Sequence, residues 1–441
     1  MANDHQNLIQ ALAAHDQEAA AMIMGAHATK AKLALLTRIR AQARPCQWSN
    51  RFEDAPEGPP VNTLALRAAT LHMVRISHKT CWSFIRLHTH DGLVGEGEAT
   101  LTGQEDALRA AAERLVPLAR RNATPESPSG FALLHAPADI QEASIVSALD
   151  QALWSLHSQR AGQSLAHVLG VQRVQVPVYA NINRRTELRT PEGFAASARA
   201  AMAAGYAALK MAPFDEVSTA VCSQGQGTEA MRAGLARVAA VREAVGPGAR
   251  VMVDCHWRFD EATARQLNEA AARLGVYWIE CPMPEAADNI PALARLRRQA
   301  NALGMLQAGL EMGIGWDSFQ PYCEGGAYDV VMPDMKYAGG IHQMQAISAG
   351  CASLGVQVSP HNPSGPICHA ASLQVSATLG AFDMLELQFD ESPLFDALVR
   401  APFAPVESGQ TVLPAGIGLG VTLDEAVMRQ HVERPLLVWS A

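Results

Sequence analysis

The sequence has little of what marks a membrane, secreted or nucleic-acid-binding protein. No segment of the 441 residues is an uninterrupted apolar run long enough to span a bilayer, and the first thirty residues carry no basic start followed by an apolar run. The eight cysteines include no Cys-x-x-Cys pair. Blocks of Lys and Arg are absent and the net charge is −8, so the chain lacks the basic footprint that phosphate neutralisation needs. We therefore expect a cytosolic protein with reduced cysteines, no membrane or nucleic-acid partner, and a small-molecule ligand.

What the chain does contain is ample apolar surface. Hydrophobic residues make up 49% and charged residues 18%, a composition typical of globular proteins. A chain of 441 residues exceeds one ordinary core but accommodates a barrel of roughly 200–250 residues with a smaller domain. We start from two folding units.

The first part of the chain reads as an extension followed by an α+β domain. Residues 1–62 are Ala-rich with a Pro- and Gly-rich end, which predicts a helical extension and a linker. Strand-like runs then flank a turn at Asp91-Gly92, and helical patterns cover 103–121 and 140–158. We predict an α+β domain over 63–175.

After Gly170, short apolar strands alternate with Ala- and Leu-rich helical stretches, which is typical of parallel βα units. The predicted strands cover residues 176–182, 208–214, 251–257, 277–283, 305–311, 329–335, 356–362 and 384–389. Eight strands favour a closed α/β barrel over 176–390. An open Rossmann sheet is the alternative, but no Gly-x-Gly-x-x-Gly follows the first strand.

Polar residues occur at the end of nearly every predicted strand, where barrels of this type carry their catalytic groups. They are Asn181 and Asn183, Lys210, Asp254 with His256, Glu280, Glu311, Asp334 with Lys336, His361 with Asn362, and Glu386. A helix cap or a satisfied loop group explains any one of them. Their agreement across the barrel predicts an active site.

Three consecutive strands end in acids, at Asp254, Glu280 and Glu311. In a closed barrel these carboxylates converge, and a set of hard oxygen ligands favours Mg²⁺. Salt bridges to Lys210 and other bases are the alternative. An ion bound by a substrate carboxylate stabilises the enediolate formed when an α-proton leaves. His361 and Asp334 end adjacent strands and form the candidate base, because a carboxylate beside an imidazole fixes its tautomer.

The strand-end series resembles the enolase superfamily, in its mandelate racemase-like branch. The likeness covers residues 64–430 and includes GLVGEGEAT (92–100), SALDQALWSL (147–156), VVMPDMKYAGG (330–340) and SPHNPSGP (359–366). It implies an N-terminal α+β capping domain, a modified (β/α)7β TIM-like barrel, and a C-terminal segment (391–441) that returns to the cap. It also implies a symmetric homo-oligomer.

The resemblance assigns further roles to individual residues. Lys210 matches a lysine that contacts the substrate carboxylate; a salt bridge to Asp254 is the alternative. Glu386 matches a glutamate that donates a hydrogen bond when protonated, which requires a raised pKa. Cap loops near residues 78–82 and 96–100 close over the substrate in this family. Thr80 and Trp82, in the first of these loops, are candidate substrate contacts. Asn183 and Lys336 are candidates because both fall at strand ends, although loop packing explains them equally well.

One departure from the family pattern narrows the reaction. Racemases of this branch carry Lys-x-Lys on the second strand, whereas this chain has Lys210-Met211-Ala212 and so lacks the second base. His256 matches a histidine that serves as general acid in some acid-sugar dehydratases, although a buried structural histidine is the alternative. We therefore expect dehydration of an acid sugar to a 2-keto-3-deoxy acid. An epimerase or racemase, a cycloisomerase, and a ligand-binding pseudoenzyme remain the alternatives.

Overall fold

The computed structural model describes residues 66–440, so the extension predicted over 1–62 lies outside the described residues. Within this range no helix combines the length and the apolar character that crossing a bilayer requires. The domain boundaries drawn above stay predictions.

The chain first builds an antiparallel sheet covered by helices. Strands β1 (Leu66–Arg75), β2 (Cys81–Thr89) and β3 (Val94–Glu98) pair in sequence order. Four helices follow, namely α1 (Glu105–Asn122), α2 (Gly130–Leu134), α3 (Ile140–Arg160) and α4 (Leu165–Leu169). A Cβ on Gly97 would collide with the backbone of Ala148. Helix α3 therefore packs directly on β3, because glycine leaves the space open.

Eight parallel strands form the predicted barrel. They are β4 (Gln175–Asn181), β5 (Ala208–Met211), β6 (Arg250–Asp254), β7 (Trp278–Glu280), β8 (Leu306–Gly309), β9 (Val330–Val331), β10 (Gln357–Val358) and β11 (Leu385–Gln388). Neighbours pair in order from β4 to β10, and β11 pairs with β4. Val358 closes the sheet, because its N–H donates to Ala381 O at 2.8 Å and its carbonyl accepts from Asp383 N at 2.9 Å. The barrel fold is confirmed.

Helices surround the barrel and side chains fill it. The helices are α5 (Pro191–Ala203), α6 (Thr219–Ser223), α7 (Gly227–Val245), α8 (Glu261–Arg273), α9 (Ile290–Ala302), α10 (Trp316–Glu324), α11 (Ile341–Ser353) and α12 (Pro366–Ser376), with a 3₁₀ turn at Ala287–Asn289. Tyr179, Met252 and Trp278 belong to a buried cluster contributed by the strands. The barrel is therefore a packed core, with its functional groups confined to the strand ends.

The C-terminal segment packs against both sheets. It contains α13 (Leu394–Ala397), β12 (Gln410–Val412), α14 (Glu425–Gln430) and β13 (Leu437–Ser440). Strand β12 pairs with β4, and β13 pairs with β1. This segment therefore holds the first sheet beside the barrel.

Candidate functional site

Three carboxylates meet at the C-terminal ends of neighbouring strands. Asp254 and Glu280 are the last residues of β6 and β7, and Glu311 follows β8 by two residues. One oxygen of each lies within 4.8 Å of the others, and all three residues are buried. The structure thus brings together the acids that the strand pattern singled out.

The surroundings leave this cluster with an excess of negative charge. Two buried lysines, Lys210 and Lys336, face five buried carboxylates, namely Asp254, Glu280, Glu311, Asp334 and Glu386. Protonating both nearby histidines would still leave the carboxylates in excess. Buried charge without a partner is costly, so the donor set fits an additional cation, and its oxygen chemistry fits a hard divalent ion.

Lys210 is fully buried between two carboxylates. Its Nζ lies 2.6 Å from Glu280 Oε1 and 3.2 Å from the Glu386 carboxylate. Burial lowers the pKa of Lys210, but Glu280 and Glu386 outweigh it and hold that pKa well above its usual range. The ammonium group is therefore a fixed positive charge. The salt-bridge partners of Lys210 are thus Glu280 and Glu386, and not Asp254, which the sequence had offered as the alternative.

Asp254 and His256 form a close pair at the end of β6. Asp254 Oδ1 accepts from the His256 backbone N–H at 2.9 Å, and Oδ2 lies 2.8 Å from His256 Nε2. Burial raises the pKa of Asp254, but His256 and Lys210 together lower it to about 2. Asp254 in turn raises the pKa of His256. The His256 side chain is 37% exposed, so this imidazole is not a closed core group.

His361 and Asp334 form the predicted dyad. His361 Nδ1 lies 2.7 Å from Asp334 Oδ2, and its Nε2 is 3.4 Å from Glu311 Oε2. Lys336 Nζ donates to Asp334 Oδ2 at 2.8 Å and to Ser364 Oγ at 2.5 Å. Burial lowers the pKa of His361, while Glu311, Glu386 and Asp334 raise it overall. Asp334 therefore orients the ring and favours its charged form.

Glu386 behaves differently from the prediction. Its carboxylate accepts from Asn181 Nδ2 at 2.5 Å, Tyr179 Oη at 3.3 Å and Asn362 N at 3.3 Å. Burial raises the pKa of Glu386, but Lys210, His361 and Asn181 outweigh burial and lower it. The predicted raised pKa is wrong, because donors on neighbouring strands stabilise the ionised form.

A cavity of about 320 Å³ opens over these groups. The predicted residues that line it are Asn181, Asn183, Lys210, Asp254, His256, Glu311, Lys336 and His361. Thr80 and Trp82 do not line it, since the Thr80 hydroxyl donates to Glu391 and Trp82 packs edge-on against Phe395. Of the two predicted cap loops, only Thr100, at the end of the second, reaches the cavity.

Several lining residues were not predicted. Arg184, Gln104 and Tyr337 face the cavity. Arg184 Nη1 lies 3.0 Å from Glu391 Oε2, and Gln104 accepts from Gln141. Tyr337 adjoins Lys336 within a quoted motif, which was its only sequence signal. Arg184 and Gln104 had none beyond their positions shortly after β4 and β3.

Comparison with known proteins agrees with this geometry. Residues 193–427 match the family described as Enolase C-terminal domain-like, and residues 62–170 match the Mandelate racemase / muconate lactonizing enzyme, N-terminal domain. This chain belongs to the enolase superfamily. Within it, the second match assigns the chain to the mandelate racemase/muconate lactonizing enzyme branch.

Among the superfamily's members, two curated dehydratases are similar in sequence. A D-gluconate dehydratase of Thermoproteus tenax is 31% identical over 297 residues, covering 67% of this chain and 57% of that relative. A D-galactonate dehydratase of Ralstonia pickettii is 27% identical over 382 residues, covering 80% of this chain and 92% of that relative. The aligned region thus spans little more than half of the first relative.

A solved structure of a superfamily member shares the fold. The mandelate racemase/muconate lactonizing enzyme from Jannaschia sp. CCS1 superposes with a TM-score of 0.74 at 24% identity, covering 84% of this chain and 98% of that chain.

Proposed function

We propose that this protein dehydrates an acid sugar to a 2-keto-3-deoxy acid with Mg²⁺ bound at Asp254, Glu280 and Glu311. The observation that carries the proposal is one cavity lined by two of these three acids, by His256, and by His361, whose Nδ1 lies against Asp334. The names of the two similar dehydratases support the same reaction class. A cytosolic location and a homo-oligomeric assembly stay predictions.

The metal site follows from the donor set. Three converging carboxylates in a region of excess negative charge match the oxygen ligands that Mg²⁺ prefers. When bound, the ion supplies positive charge to the carboxylate of the substrate. Lys210, which lies between Glu280 and Glu386, supplies a second positive charge next to the three carboxylates.

His361 removes the α-proton. Its Nδ1 faces the Asp334 carboxylate at 2.7 Å, so the neutral ring carries its hydrogen on Nδ1 and leaves Nε2 free to accept. Proton capture makes an imidazolium, whose charge Asp334 stabilises. A positioned base of this kind contributes roughly 10²–10⁴-fold to the rate.

His256 protonates the leaving group. The pKa of His256 is raised by Asp254, which keeps the imidazolium available as an acid. As the Cα–H bond breaks, its electron pair moves toward the substrate carboxylate and gives an enediolate. That pair then forms the Cα–Cβ double bond while the Cβ–O bond breaks, and the hydroxyl protonated by His256 leaves as water. The enol that remains tautomerises to the 2-keto acid. This sequence needs no second lysine, consistent with Ala212.

The cavity suits a small polyhydroxy acid. Besides the metal-binding acids, the lysines and the histidines, the cavity is lined by Thr102, Gln104, Asn183 and Arg184. Their side chains can form hydrogen bonds with hydroxyl groups. We therefore assign these residues to recognition of the sugar chain.

The test is a screen of the Mg²⁺-loaded protein against a library of mono- and diacid sugars. Semicarbazide absorbance detects 2-keto-3-deoxy products, and NMR in deuterated solvent reports α-proton exchange in every non-reactor. A keto product supports dehydration and names the substrate. Exchange without that product would instead indicate an epimerase or a cycloisomerase. Absence of both across the library would favour the ligand-binding pseudoenzyme.

A further inference from the structure

A further acid, Glu285, lies close to the three converging carboxylates but outside the cavity. Glu285 belongs to the loop after β7 and is partly buried. Its Oε1 accepts from the Leu310 backbone N–H at 2.7 Å and from the Tyr328 hydroxyl at 2.8 Å. Leu310 directly precedes Glu311. The Glu285 carboxylate is therefore hydrogen-bonded to the residue that precedes one of the three converging acids.

Leu310 adopts a conformation that needs outside support. Its φ is 69°, in the left-handed region that non-glycine residues rarely occupy because their side chains are strained there. Such a residue persists where its surroundings over-determine it. The Leu310 N–H donates its hydrogen bond to Glu285. Loss of this acceptor would therefore leave a buried donor unsatisfied.

The loops beside the other two acids share this feature. Trp257 has a φ of 58° and Cys281 a φ of 44°. The Trp257 N–H donates to Cys281 O at 2.8 Å, and the Cys281 N–H donates to Ala308 O at 3.0 Å. Backbone bonds thus connect the first loop to the second and the second to β8. The side chain of Glu285 connects the second loop to Leu310.

The end of β8 leaves room for this carboxylate. A Cβ on Gly309 would lie 2.6 Å from Glu285 Oε1 and 2.6 Å from the Tyr328 ring. Only glycine permits this approach, since real Cβ atoms do not come so close to a neighbour. Gly309, Glu285 and Tyr328 therefore form one packed unit behind Glu311.

We infer that Glu285 is a positioning residue for the metal site, which holds Leu310 left-handed and thereby directs the Glu311 carboxylate toward Asp254 and Glu280. This inference rests on the metal site of the proposed function. It predicts that removing the acceptor weakens metal binding, although Glu285 is not one of the converging acids.

The experiment measures the affinity of the full-length protein for Mn²⁺ alone, by EPR of the free ion, alongside urea unfolding without metal. Glu285→Ala should raise the Mn²⁺ Kd by roughly 10–100-fold, the usual effect of losing an outer-shell partner. Glu285→Gln keeps an oxygen acceptor for Leu310 N–H and should stay within about threefold of wild type.

Asp329→Ala is the matched control. Asp329 Oδ2 accepts from the Gln307 backbone N–H at 2.9 Å, so it too is a carboxylate bonded to a backbone N–H of β8, near the end of that strand away from the acids, and its Oδ1 pairs with Arg297. Its loss should lower the free energy of unfolding without changing the Mn²⁺ Kd. An unchanged Kd in Glu285→Ala, or an equal rise in Asp329→Ala, would overturn the inference. Absence of Mn²⁺ binding in the wild type would overturn the metal site and this inference with it.

Discussion

Replacing Asp334 with Asn should disable the base while leaving the barrel in place. The Asp334 carboxylate is fully buried; Oδ2 accepts from His361 Nδ1 at 2.7 Å and from Lys336 Nζ at 2.8 Å, and Oδ1 accepts from Lys336 N at 2.7 Å. An Asn oxygen can keep the Lys336 backbone bond. Its NH₂ group then faces two other donors, the His361 Nδ1–H and the Lys336 ammonium. The His361 imidazole must therefore change to the tautomer protonated on Nε2 or lose its hydrogen bond to residue 334.

The expected loss is large because both consequences act on the same proton transfer. A ring protonated on Nε2 cannot accept the α-proton, and the imidazolium loses a charge-assisted hydrogen bond of about 1.5–3 kcal/mol. We expect the rate of α-proton exchange to fall by roughly 10²–10⁴-fold, the full worth of a positioned base. The stranded Lys336 ammonium should also destabilise the fold by about 3–5 kcal/mol.

The assay is NMR of deuterium incorporation at Cα of the identified acid sugar, with urea unfolding to establish the folded fraction. Lys336→Met in the Asp334→Asn background should restore stability, because it removes the stranded charge, without restoring exchange. An Asp334→Asn protein that is folded and exchanges within threefold of wild type would refute the role of Asp334.

Three further predictions follow from individual contacts. Lys210→Met leaves the Glu280 and Glu386 carboxylates without their buried cation. We expect the free energy of unfolding of the metal-free protein to fall by about 3–5 kcal/mol. A change below about 1 kcal/mol in urea unfolding would contradict this. Burial raises the pKa of Asp150 to about 7, so the folded state keeps a proton that the unfolded state releases. Stability should fall by about 4 kcal/mol as pH rises from about 4 to 7, and Asp150→Asn should abolish that decline in urea titrations. Arg184→Met should raise KM roughly 10–100-fold with little change in kcat, since one charged hydrogen-bonding group is lost; Arg185→Met, which alters an arginine outside the cavity, should leave KM unchanged.

The barrel could be predicted because each strand is a short apolar run that ends in a polar residue. All eight predicted ranges overlap an observed strand, and the prediction that catalytic groups lie at strand ends needs only the order of the strands. For the same reason the convergence of Asp254, Glu280 and Glu311 followed from three consecutive strand ends. Local pattern and topology suffice for this part of the site.

What failed depended on contacts between distant parts of the chain. The pKa of Glu386 is set by Lys210 and Asn181, which lie on other strands, and no local pattern shows that they donate to it. Thr80 turns away from the cavity because its hydroxyl bonds Glu391 in the C-terminal segment. A loop's sequence does not reveal which distant residue it will meet.

Glu285 illustrates the same limit. In the sequence it is one acid in a loop of Pro, Ala and Asp residues, without periodicity or motif. Its partners Leu310 and Tyr328 are 25 and 43 residues away. Only the fold brings this carboxylate against the end of β8.

Exchange of the substrate α-proton in deuterated solvent, followed by NMR together with formation of the keto acid, tests the central claim most directly. The comparison is between wild type, His361→Asn and His256→Asn, each loaded with Mg²⁺. We predict that wild type forms the keto acid, that His256→Asn exchanges the α-proton but forms little product, and that His361→Asn does neither. A folded His361→Asn protein that retains exchange would contradict the account, because another group would then be the base.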